Sequence, residues 1–138
     1  GFLIARGLGT REHDAAEAEA LAAVAPSRLP ITAIKGCTGY VGAATALVET
    51  AVAISALRNA VVPPVTRLAT PDAAANTLRL ARDAVTLSSE TTTALTLTAG
   101  WGGDWAAVAL RAAGPVADDG RPDGGRRRQR SRRGATDA

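Results

Sequence analysis

Arg6-Gly7-Leu8-Gly9-Thr10 and Lys35-Gly36-Cys37-Thr38-Gly39-Tyr40 are the two stretches on which the reading of this chain turns. Each is a short loop rich in glycine, and each leads into a helical pattern. After the first, Asp14–Ala25 alternates acid and alanine around Leu21 and Val24 and stops before Pro26. Asp14 with Glu17 three residues on resembles a capping box, so a helix is expected there with Asp14 as its N-cap. Ile31–Ile34, an apolar run between Pro30 and Lys35, reads as a buried strand. After the second loop, Val41–Asn59 is apolar nearly all round, interrupted only by Thr45, Glu49, Thr50, Ser55 and Arg58. Such a helix is expected to be buried on every side.

Downstream, Pro63-Pro64 stops that helix and Val65–Asp72 reads as an extended connection. Asn76–Leu80 and Ala84–Leu87 are short strand candidates. Thr91–Ala99 alternates threonine with alanine or leucine, the period-2 pattern of a strand. Gly100-Trp101-Gly102-Gly103 makes a tight turn, and Trp105–Arg111 returns as the second strand of a hairpin. The order α-β-α-β-β-β, opening on a glycine-rich loop, reads as the back half of a larger α/β domain.

Composition narrows the function classes. The chain has 138 residues, enough for one domain with a sizeable core. With 3% aromatics and no Met, that core has to come from Ala, Val, Leu and Ile. A single Cys excludes a disulfide framework and argues for a reducing, cytoplasmic setting. No apolar run reaches the roughly 18 residues that a membrane helix needs without polar interruption, so no membrane partner is expected. The net charge of +3 conceals an asymmetry: residues 121–138 hold seven Arg and two Asp, which leaves the rest of the chain at −2. From Gly114 onward the composition shifts to Gly, Pro, Asp and Arg, and residues 114–138 are expected to be a disordered basic tail after a domain of residues 1–113. The run Arg126–Arg133 would attract phosphates without selectivity. It lacks interleaved aromatics and follows an acidic body, which argues against nucleic acid as a partner.

Four motifs in order resemble the C-terminal half of the β-ketoacyl-ACP synthases, over roughly residues 5–111. Where that family has A-H-G-T-G-T, this chain has Ala5-Arg6-Gly7-Leu8-Gly9-Thr10, and the family's D-x-x-E-A is present as Asp14-Ala15-Ala16-Glu17-Ala18. Where the family has K-x-x-x-G-H, Lys35 precedes Tyr40 by five residues. Glu49, Arg58, Pro63-Pro64 and Arg67-Leu68-Ala69-Thr70-Pro71-Asp72 follow at matching separations. The family's G-F-G-G-T-N is here Gly100-Trp101-Gly102-Gly103-Asp104-Trp105. The resemblance implies a thiolase-like α/β fold, C-terminal half only, with the chain beginning mid-fold and the half that carries the nucleophilic Cys missing.

It also implies a chemistry. The family carries out a decarboxylating Claisen condensation, in which a thiolate holds the acyl group and two histidines donate to the enolate oxygen. Arg6 and Tyr40 occupy the two histidine positions. Loss of one such donor costs on the order of 10²–10³ in rate. Tyr40 can donate one O–H but is no base near neutral pH; Arg6, a permanent cation, would hold a malonyl carboxylate rather than release CO₂. Lys35 is expected to play an architectural part, and Glu49 to find a partner such as Lys35 or backbone N–H groups. Arg6, Tyr40 and Lys35 are thus the candidate catalytic positions, and Trp101, Gly102 and Gly103 the candidate substrate-binding ones. Trp101 either lines the acyl pocket or packs the hairpin. Cys37 reads as a small buried loop residue, and His13, the one histidine, as a polar residue at a helix start with no co-ligands for a metal. No cofactor is implied.

Chain-length factors, partners of active ketosynthases that also lack the histidines, fit these replacements. The implied partners are an acyl carrier protein and an active ketosynthase subunit in a heterodimer, or a second copy in a homodimer. The implied role is to shape the acyl tunnel in fatty-acid or polyketide assembly. The alternative is a divergent acyltransferase or condensing enzyme that uses Tyr40 or Arg6 in altered roles.

Overall fold

Phe2, Leu3 and Ile4 form β1 (Phe2–Ile4), one of the two inner strands of the main sheet. The computed structural model describes residues 1–113, and the expected basic tail lies outside the described residues. A four-stranded sheet runs in the order β2-β1-β5-β6, with β2 at Ile31–Thr32, β5 at Thr93–Ala99 and β6 at Trp105–Arg111. β1 is parallel to both β2 and β5, whereas β5 and β6 form the expected antiparallel hairpin. Three residues buried on both faces carry no polar alternation, which is why the pattern of the sequence announces a helix first and not this strand.

The period of a strand then decides the layers. Leu3 points to one side, where it packs with Leu21 of α1 (Arg11–Val24) and Ile31. Phe2 and Ile4 point to the other, against Ala53 and Ala56 of α3 (Thr45–Asn59) and Val62 of β3 (Val61–Val62). The sheet is therefore sandwiched between α1 and α3. Alanines on α3 let that helix lie close to the strands. β3 pairs with β4 (Val85–Thr86) in a separate two-stranded ribbon, and Leu80 bridges to Ile31. Between β2 and α3 lie the single-turn α2 (Lys35–Thr38) and a 3₁₀ turn at Gly42–Ala44.

Besides Asn76–Leu80, which forms turns and a lone bridge at Leu80 in place of the expected strand, two expectations of the fold are corrected. α1 begins at Arg11, with Thr10 extended ahead of it, so Asp14 is not the N-cap and Glu17 is not its capping-box partner. Both carboxylates are turned back onto the preceding loop instead. The second concerns the helix after Tyr40. It starts at Thr45 and buries only the stripe Thr45, Glu49, Ala53 and Ala56, at helical spacing. Leu47 is 73% exposed and Ile54 44%. One face of α3 serves this sheet, and the other meets nothing among the described residues. β6 is likewise an edge strand, exposed along Trp105–Ala109.

Candidate functional site

The site begins where β1 ends. The chain leaves the sheet at Ala5 and must turn back into α1, leaving the peptide groups of Arg6 and Gly7 without strand partners. Glu17, one and a half turns into α1, reaches back to supply acceptors. Its Oε1 accepts from the Arg6 N–H at 2.7 Å and its Oε2 from the Gly7 N–H at 2.9 Å. Asp14 does the same for the Gly9 N–H, at 3.0 and 3.2 Å. Gly7 adopts φ 44°, and a Cβ there would come within 2.5 Å of Ala33, so the turn requires glycine.

The other side of the Arg6 peptide is held from α2. Lys35 Nζ donates to the Arg6 carbonyl and to Glu49 Oε1 of α3. This is the only ion pair among the described residues, and both side chains are buried. Burial raises the Glu49 carboxyl above its ordinary range, while the hydrogen bond and charge of Lys35 pull it down. Glu49 Oε2 has no partner among the described residues. The expected meeting of Glu49 with Lys35 is therefore present, and its effect is to tie the Arg6 loop to α3.

Arg6 is 6% exposed. Its guanidinium lies 5.7 Å from the ring centroid of Trp105, at the start of β6, a cation–π arrangement. Tyr40, just after α2, meets the hairpin tip: its ring and that of Trp101 are 5.8 Å apart and nearly perpendicular, at 86°. Gly102 and Gly103 share that exposed tip, and Gly103 adopts φ 86°. The hairpin thus brings one tryptophan to each of the two positions where the family resemblance expects a histidine.

Cys37 departs from its expected burial. It is exposed, with Sγ 2.7 Å from Thr66 Oγ1, because Gly36 presses the turn of α2 against the Thr66 backbone and leaves the next side chain outside. His13 lies in the first turn of α1 with Nδ1 2.8 Å from Thr10 Oγ1. The two residues bond to different loops. Among the described residues no group of three metal-ligating side chains comes together, and no helix is long and apolar enough to cross a membrane.

Two contributors escape the sequence reading. Glu17 is legible in the sequence as a helix-start carboxylate and as the acid of the D-x-x-E-A motif, but its part as acceptor for the Arg6 and Gly7 amides is not. Trp105 registers in the sequence only as a missing polar pair, and nothing local announces that it covers Arg6.

Comparison with known proteins supplies the family. No curated protein matches the chain. Among solved structures it resembles the ishigamide ketosynthase/chain length factor, with a TM-score of 0.74 at 21% identity, over 82% of this chain and 28% of that one. At that identity the likeness concerns the fold, and this chain spans little more than a quarter of the solved one. The family model of the β-ketoacyl synthase C-terminal domain matches residues 1–69, which take in the Arg6 loop, the Lys35–Tyr40 turn and α3. The scaffold that grips Arg6 is thus the C-terminal domain of a β-ketoacyl synthase, and the chain belongs to that family.

Proposed function

We propose that this chain is the C-terminal part of a ketosynthase-like subunit that completes and shapes the acyl tunnel of an active ketosynthase in fatty-acid or polyketide assembly, without catalysing condensation itself. Residues 1–113 form its domain and the basic stretch after them a tail. The observation that carries this reading is the environment of Arg6. A condensing site needs a donor that stabilises an enolate oxygen as it forms and leaves the carboxylate free to depart as CO₂. Arg6 instead offers a fixed cation under Trp105, the opposite preference. Tyr40 is engaged edge-on with Trp101. The exposed apolar face of α3, with Leu47 and Ile54, suits a subunit that is covered in its assembly.

Co-expression with an active ketosynthase and an acyl carrier protein tests it. The expected result is a stable hetero-complex whose product length changes when Trp101 is replaced, and no acyl transfer by this subunit alone. Acyl transfer from carrier protein by this subunit alone, abolished by Tyr40→Phe or Arg6→Gln, would establish the divergent-enzyme reading in its place.

A further inference from the structure

Between α1 and the β5–β6 hairpin lies an open cavity of about 330 Å³, to which Arg6 contributes from the floor. Arg6 is more than nine-tenths buried, its Nε has no hydrogen-bond partner, and no carboxylate among the described residues forms an ion pair with it. Glu17 also faces the cavity, but its two oxygens are occupied by the Arg6 and Gly7 amides. A guanidinium N–H taken out of water with no acceptor is costly, even with the Glu17 charge nearby. Trp105 compensates in part through its ring face, yet an indole brings no acceptor for the N–H fork. Apart from His13, whose Nδ1 is paired with Thr10 Oγ1, the rest of the wall is apolar, with Ala20 and Val24 of α1 and Leu97 of β5.

We propose that this cavity binds a short aliphatic carboxylate, its oxygens paired with the Arg6 guanidinium and its alkyl chain laid along Val24, Leu97 and the Trp105 ring. The planar fork of arginine matches a carboxylate in geometry. The apolar wall selects a chain over a bare inorganic anion, and the nearby Glu17 charge selects a monoanion over phosphate. A six-carbon acid fits with room to spare, since one water occupies about 30 Å³ of liquid. The proposal does not rest on the partner-subunit reading: a protein that engages no ketosynthase still binds the acid, and one that engages it can fail to.

The test uses the Trp101→Phe protein, in which Trp105 is the sole tryptophan, titrated with hexanoate while its fluorescence is followed. Saturable binding is expected, at least about 10-fold tighter than for hexanamide or inorganic phosphate, and weakened about 10-fold or more by Arg6→Gln. Ala20→Phe, at an exposed position on α1, should fill the cavity and abolish binding with an unchanged thermal melt. That variant decides the matter if Arg6→Gln does not fold. A linear, non-saturating response overturns the proposal. So does equal binding of hexanamide, of phosphate, or by the Ala20→Phe protein.

Discussion

Glu17 holds the backbone of Arg6 and not its side chain: the carboxylate of one accepts from the N–H of the other at 2.7 Å across eleven residues of sequence, and from Gly7 beside it. Replacing Glu17 by Ala leaves two amides without acceptors, one of them buried. Hydrogen bonds to a charged group are worth about 1.5–3 kcal/mol each; because the half-buried Gly7 amide can regain water, Glu17→Ala should cost less than the full sum, about 2–4 kcal/mol in denaturant unfolding. Glu17→Gln, which keeps one acceptor, should cost roughly half as much. A loss below about 0.5 kcal/mol would mean that the loop holds itself.

The Lys35–Glu49 pair makes a different prediction, because each residue is buried with the other. Removing one partner strands a charge, at about 3–5 kcal/mol. Lys35→Met and Glu49→Leu should each be severely destabilising, and the double variant markedly less so than their sum. The recovery should be incomplete, since Lys35 also serves the Arg6 carbonyl. Strict additivity in the cycle would contradict the pairing.

The same pair gives a sign for the pH dependence. Burial raises the Glu49 carboxyl in the fold above its unfolded value, against the pull of Lys35. The folded state thus binds this proton more tightly than the unfolded chain does. Its contribution is fully present at pH below the unfolded value and is lost as pH rises through the raised one. Stability of the native protein relative to Glu49→Gln should therefore fall between acidic and neutral pH. Melting temperatures of both proteins across that range check it; a relative rise would reverse the assignment.

Ala60 closes α3 in the left-handed conformation, φ 53°, where a Cβ is a burden. Ala60→Gly should stabilise by about 0.5–1 kcal/mol, the strain relieved outweighing the added freedom of the unfolded chain. A lower melting temperature would show that Ala60, which packs against the core cluster, is kept for its methyl group.

On the exposed face of α3, Leu47→Lys and Ile54→Glu should leave the fold within about 0.5 kcal/mol of the native protein, as surface changes do. Both should weaken the complex with a ketosynthase in co-purification. Destabilisation of the isolated protein instead would place those side chains in its own core.

Much of this architecture is legible in the sequence where a period is long enough to show. The β5–β6 hairpin is announced by alternation over Thr93–Ala99 and four residues of glycine-rich turn, and α1 and α3 by their lengths. β1 is not, because three consecutive apolar residues have no period. The Lys35–Glu49 contact was foreseeable, since a carboxylate on the buried stripe of a helix has to be matched. Glu17 misled because its distance from Asp14 imitates a cap, and only the fold shows that the two carboxylates serve the loop. Nor does local sequence reveal exposure on α3, since an apolar side chain looks the same whether it faces its own sheet or another molecule.

The grip on residue 6 comes through its amide and its carbonyl, from Glu17 on one side and Lys35 on the other. What the scaffold secures is a place, indifferent to the side chain that stands there. A histidine or an arginine would be presented from the same anchored peptide, so the side chain at this position can be exchanged without rebuilding its mount. The side chain of residue 6 is an interchangeable part fitted to a fixed socket.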